Sequence, residues 1–172
     1  MPSVRPRRKI PTMAVRRQRV WRCVPVQFVA TVLESGPSFT KDRRYSVQGE
    51  FGAIYLSASE ELALLEWRQR AGEDAEPAAC IEFELTLDHL VDLTSKAVQK
   101  RLGVQTVDLV RPRIAAEAYA ATQAVARQVY AQKHHGLIVP SIHDSAGEEP
   151  GWFNIVLYPA NLVRRCLRQI TR

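Results

Sequence analysis

Glu66 stands directly over Leu62 and Ala63, its neighbours at i−4 and i−3, in a segment whose apolar residues recur at helical spacing. A carboxylate on an apolar helix face costs free energy unless it is paired, hydrogen-bonded or used in chemistry. Periodicity alone admits two readings, a structural ion pair with an arginine or a fixed negative charge facing a substrate. Tyr55 lies in the strand that feeds this helix, as a core tyrosine with its hydroxyl at the edge or as a wall of the same cleft. Arg44 and Tyr45 adjoin in a polar loop upstream. A guanidinium fork binds diphosphate oxygens bidentately and a ring stacks on a base, whereas the plain reading of such a pair is a solvated loop. Ser141 follows a short apolar strand through Pro140, and no Gly-x-Ser-x-Gly surrounds it, which argues against a serine-hydrolase elbow. Asn154 interrupts an apolar run formed by Trp152, Phe153, Ile155, Val156 and Leu157. An amide there needs partners, supplied by backbone or by a ligand.

Other chemistries are disfavoured by what surrounds the candidate residues. His134 and His135 are adjacent and cannot both face one ion from a helix, and His143 has only Asp144 close by, so no metal site is expected. No Gly-rich phosphate loop or dinucleotide fingerprint occurs, which disfavours NAD+ as a redox cofactor. Cys23, Cys80 and Cys166 are odd in number, widely spaced and without a Cys-x-x-Cys. That pattern predicts no disulfide framework and no zinc site, and it fits a reducing compartment. With no apolar leader core near Met1 and no membrane-length apolar run, the expected location is the bacterial cytoplasm.

The elements that must position these residues follow from patterning along 172 residues, 46% hydrophobic and 24% charged, the balance of a globular domain. Net charge is +6, and no acidic residue precedes Glu34. Residues 1–19 read as a basic, disordered tail, and 20–172 as a single domain. The tail is either solvated or drawn to a polyanion such as nucleic acid or an acidic protein. Strands are predicted over 20–28, 52–57, 81–86, 137–139 and 152–158, with a loop over 34–48. Ser57 and Glu60 form a capping-box pattern for a helix from about 58 to 70, and Gly72 through Pro77 breaks the chain after it. Short helices and turns are expected over 87–110. A long helix is expected over 112–132, stopped by Gly136. This order, without regular βαβ alternation, predicts an α+β fold.

Taken together, the pieces resemble one family. Trp21-Arg22, Arg44-Tyr45-Ser46, Tyr55-Leu56-Ser57 and Ala63-Leu64-Leu65-Glu66 come first. Thr122-Gln123, Gly136-Leu137-Ile138-Val139-Pro140-Ser141 and Asn154 with Pro159 five residues on complete the pattern. The chain resembles RES-domain proteins, named for Arg, Glu and Ser, over roughly Trp21 to Pro159. The resemblance implies mixed and antiparallel sheets with flanking helices around an NAD+ cleft, similar to ADP-ribosyltransferases. It implies the toxin of a bacterial toxin–antitoxin pair that cleaves NAD+ at the nicotinamide–ribose bond, by phosphorolysis or hydrolysis, or that transfers ADP-ribose to a protein. NAD+ would be substrate, with no cofactor. Implied partners are a small Xre-type DNA-binding antitoxin, through which alone DNA is contacted, and a second copy in a homo-oligomer, with no membrane. Glu66, Arg44, Tyr55 and Ser141 would be catalytic, and Arg22, Tyr45 and Asn154 would bind substrate. The loop departs from the family in carrying Asp42-Arg43 where a Gly or Asn often precedes the arginine, so Arg43 competes with Arg44 for the role. A non-catalytic module that binds DNA or an antitoxin is the reading from another class.

Overall fold

A computed structural model describes residues 9–72, 76–111, 119–143, 152–162 and 166–170. Six strands are laid down in chain order: β1 (Met13–Pro25), β2 (Ile54–Ser57), β3 (Ala78–Asp92), β4 (Gly136–Pro140), β5 (Phe153–Leu157) and β6 (Leu167–Gln169). Five helices join them: α1 (Gly36–Phe39), α2 (Glu60–Ala71), α3 (Lys96–Leu102), α4 (Thr106–Val110) and α5 (Ala120–Ala131). The sheet order is β1-β2-β5-β4-β3-β6, and β1 also pairs with β3. The pairings β1–β2–β5–β4–β3–β1 therefore close on themselves, with β6 added along β3. Only β3 and β4 run parallel. The α+β class is as the sequence predicts.

Strand alternation sorts side chains onto two apolar faces. Ile138, Ile155 and Leu157 pack with Val20, Ile81, Phe83, Leu85, Ile54 and Leu56. Leu137, Val139 and Val156 point the other way, against Val125, Ala126 and Val129 of α5 and against Tyr45, Phe51 and Tyr158. β4 is thus covered on both faces and reads as a continuous apolar run rather than an alternating one.

Several elements differ from the sequence reading, each for a non-local reason. β1 begins at Met13 rather than near 20, because the basic segment pairs along β3, Met13 opposite Leu90, Val15 opposite Leu87 and Gln18 opposite Leu85, with Arg16, Arg17 and Arg19 against Asp88, Glu84 and Glu82. Its far end passes into a 3-10 turn, Val26–Thr31, instead of continuing as strand. The same long pairing carries β3 on to Asp92, through residues expected to be short helices and turns. α2 is capped by Ser59, whose side chain accepts from the Leu62 amide, because Ser57 is still held in β2. α5 closes on Gln132 and Lys133, the latter in left-handed backbone with φ 62°. Gly136 is therefore not its stop but the first residue of β4, where a Cβ would run into the Val156 carbonyl of β5. The expected helical residues 112–118 and most of the loop after His143 lie outside the described residues.

The cysteine reading is corrected outright. Cys23 and Cys80 are directly opposed in the β1–β3 register and are joined by a disulfide, while Cys166 is buried and takes no part in that bond. Spacing along the chain carries no information about cross-strand register, which is what brings them together.

Candidate active site

Three strand ends and one helix converge on Glu66. α2 follows β2 after a two-residue connection, so Glu66, almost two turns into the helix, faces back over the carboxyl end of β2. Beside β2 lies the start of β5, with Ser57 paired to Asn154, and beside that the end of β4, with Asn154 paired to Val139. The Asn154 amide nitrogen donates to Glu66 Oε1 at 2.8 Å, and its amide oxygen accepts from Ser57 Oγ at 2.8 Å. Ser141 Oγ, from the residue after β4, donates to the same Oε1 at 3.2 Å and accepts from the His143 amide at 3.1 Å. Ser57–Asn154–Glu66–Ser141 is thus one hydrogen-bonded chain that fixes Oε1 and the orientation of the Asn154 amide. The second carboxylate oxygen has no hydrogen-bond partner among the described residues.

Positive charge gathers around this carboxylate. Arg22, from the stretch of β1 that meets β2 at Trp21–Ser57, carries a buried Nη1 without a partner among the described residues. Burial, then the charge of Arg70, lowers its pKa to about 10. Arg70 lies one helical turn beyond Glu66, with its guanidinium 5.2 Å from the Trp67 ring centroid. Desolvation and the charge of Arg43 lower its pKa, and Glu66 works in the opposite direction. Arg70, exposed at the end of α2, thus carries its charge within reach of the Glu66 carboxylate.

The loop upstream is arranged differently from expectation. Arg43 and Ser46 form an antiparallel bridge, which leaves Arg44 and Tyr45 at the tip of a tight turn. Tyr45 is 2% exposed and packs in the core against α5 and the sheet, so its ring is not available to stack on a base. Arg44 donates to the Arg111 carbonyl at 2.6 Å and to the Asp108 carbonyl at 3.5 Å, and it lies 5.3 Å from the Tyr119 ring centroid. Its guanidinium therefore caps the carboxyl end of α4 and is not among the contacts of Glu66. Tyr55 is half-buried. Its hydroxyl accepts from the Tyr45 amide at 3.1 Å and lies 3.4 Å from Ser46 Oγ, so it holds the turn in place. Burial raises the Tyr55 pKa, opposed by those hydrogen bonds and by the charge of Arg43.

Of the sequence-predicted residues, Glu66, Ser141 and Asn154 come together, Arg22 lies on the strand that pairs with β2 beside them, and Tyr55 lies on β2 itself. Arg44 and Tyr45 are drawn elsewhere. Ser57 and Arg70 were not singled out as site residues. Ser57 had been read as a cap, whereas the i+4 spacing from Glu66 to Arg70 was a usable signal.

The fold is a mixed α+β domain with a hydrogen-bonded carboxylate at a junction of strand ends. The chain belongs to the RES domain family, whose model matches residues 19–170. Its fold is similar to that of a chain in the crystal structure of the M. tuberculosis MbcT–MbcA toxin–antitoxin complex. The TM-score is 0.65 at 19% identity, covering 93% of this chain and 87% of that one. None of the curated proteins compared with it matches. No helix among the described residues is long and apolar enough to cross a membrane.

Proposed function

We propose that this chain cleaves NAD+ at the nicotinamide–ribose bond and is the toxin of a toxin–antitoxin pair. One observation carries the reading: Glu66 has one oxygen held by both Asn154 and Ser141 and the other without a hydrogen-bond partner among the described residues. Nicotinamide leaves NAD+ as a neutral base, so the departing group needs no strong acid. What needs stabilising is positive charge developing on the ribose, as in glycoside cleavage. A carboxylate held by two donors is already oriented toward that charge and pays little reorganisation as it forms. Asn154 and Ser141 act as positioning residues, and Arg22 offers its unpartnered nitrogen to the diphosphate. NAD+ is then the substrate, with no other cofactor required.

Membership of the RES family supports this reading, as does the fold shared with a chain of a toxin–antitoxin complex. The partner in this reading is a small Xre-type antitoxin; the likeness to a chain of a toxin–antitoxin complex supports an antitoxin partner. In the binding-module alternative the basic segment would be the contact surface; three of its arginines, Arg16, Arg17 and Arg19, pair with acidic residues of β3. Transfer of ADP-ribose to a protein shares the same donor chemistry and differs only in the acceptor. The test is NAD+ consumption by purified protein, with and without phosphate, alongside mass spectrometry of candidate protein acceptors. Stable NAD+ in all of these, with folded protein, would sink the proposal.

A further inference from the structure

We propose that Cys23 and Cys80 are a reversible thiol–disulfide couple that reacts with low-molecular-weight disulfides of the glutathione type, with Cys80 as the attacking thiol and Cys23 as the resolving one. The couple is independent of the reaction proposed at Glu66. Strand alternation puts Val20 and Val24 of β1, and Ile81 and Phe83 of β3, into one apolar cluster. Cys23 and Cys80 occupy intervening positions, so their bond lies on the other face of the strand pair, and opening it leaves that cluster covered. The β1–β3 ladder runs without a register shift from Gln18–Leu85 to Pro25–Ala78. Beyond it the Val26 amide donates to the Pro77 carbonyl at 3.3 Å, and the Gln27 side chain donates to Glu76 at 2.8 Å. Pairing thus continues on both sides of the cysteines and keeps the two thiols opposed when the bond is open. Closure is then an intramolecular step at high effective concentration, and it outruns capture of a second external thiol.

The two ends of the bond are covered unequally. Cys23 is 4% exposed, whereas Cys80 is half-buried, near the start of β3 behind the small and equally half-buried Ala78 and Ala79. Exchange requires access to the sulfur under attack, so an external disulfide meets Cys80 first. The Cys80 thiolate attacks one sulfur of glutathione disulfide, forming a mixed disulfide and expelling one glutathione thiolate. Cys23 then attacks the Cys80 sulfur and expels the second. The two cysteine thiols give up two electrons and two protons. The external disulfide takes both electrons, and the protons end on the two glutathione molecules released. Reduction by excess thiol runs the same steps backwards, again through Cys80.

The test takes the full chain, reduced and freed of reductant, and exposes it to glutathione disulfide, with acid-quenched samples read by intact and peptide mass spectrometry. Wild type should lose two hydrogens and carry glutathione only transiently, on Cys80. Cys23→Ser should accumulate one stable adduct at Cys80. Cys80→Ser should react at Cys23 at least about tenfold more slowly, because burial restricts access. A substoichiometric pulse of iodoacetamide on reduced wild type guards against misfolded variants. Cys80 should be alkylated ahead of Cys23 and of Cys166, which is also buried, and the preference should vanish in denaturant. Alkylation of Cys23 or Cys166 ahead of Cys80 in the folded chain would overturn the assignment. So would a reduced wild type that is inert to glutathione disulfide, or one that stops at a glutathione adduct without closing the bond.

Discussion

At the scale of the residue, Glu66 and Asn154 divide the work of the site. Glu66→Gln keeps the shape and removes the charge, and NAD+ consumption should fall by ~10²–10³, measured as turnover at saturating substrate, with thermal stability close to wild type. Asn154→Ala removes the donor to Glu66 and the acceptor for Ser57 at once. It should cost about 1–3 kcal/mol in denaturant unfolding as well as activity, because it strands polar groups on both sides. His134 makes a different prediction. It is 7% exposed, its Nε2 has no partner among the described residues, and its pKa is lowered by burial and then by His89, His135 and Lys9. A depressed histidine favours the neutral form in the folded state. Its contribution is complete above the unfolded value of 6.5 and is lost as pH falls below it. Stability measured between about pH 7.5 and 5 should decline on the acid side. A decline of equal size in His134→Gln would assign it to other groups.

At the scale of the element, the turn at Arg43–Ser46 is the most informative piece. Tyr55→Phe deletes the hydroxyl that accepts from the Tyr45 amide, and it should loosen the turn and raise the KM for NAD+ more than it lowers kcat. Gly136→Ala belongs here too. The β4 backbone approaches the Val156 carbonyl too closely for a Cβ, so the variant should lose several kcal/mol in denaturant unfolding or fail to fold. What was legible in the sequence sorts by locality. β2, β4, β5 and α2 were readable because apolar period and turn residues are local signals. The grouping of Glu66, Ser141 and Asn154 was readable through the family pattern, since they lie 75 and 88 residues apart in the chain. The start of β1, the length of β3, the Cys23–Cys80 bond and the aim of Arg44 were not. Each is decided by which residue lies across a strand pair or at the end of another helix, and cross-strand register is absent from composition and spacing.

Across the whole molecule, β1 and β3 are tied twice, by ion pairs at one end and by Cys23–Cys80 at the other. The ion pairs involve exposed arginines and are worth little individually. The disulfide spans 57 residues, and loop entropy alone puts its contribution at about 4 kcal/mol. Adding a thiol reductant should lower the unfolding midpoint of the wild-type protein and leave a Cys23→Ala/Cys80→Ala double variant unchanged. Equal shifts in both would show that the bond does not stabilise the fold.

Because the anchors of Glu66 arrive so late in the chain, the site also has a timing. Glu66 is synthesised long before Ser141 and Asn154, and at about 5–20 residues per second the gap is several seconds. Until β5 emerges and docks between β2 and β4, the arrangement that holds the carboxylate is incomplete. On the proposed function, activity would follow the docking of β5 rather than the synthesis of Glu66.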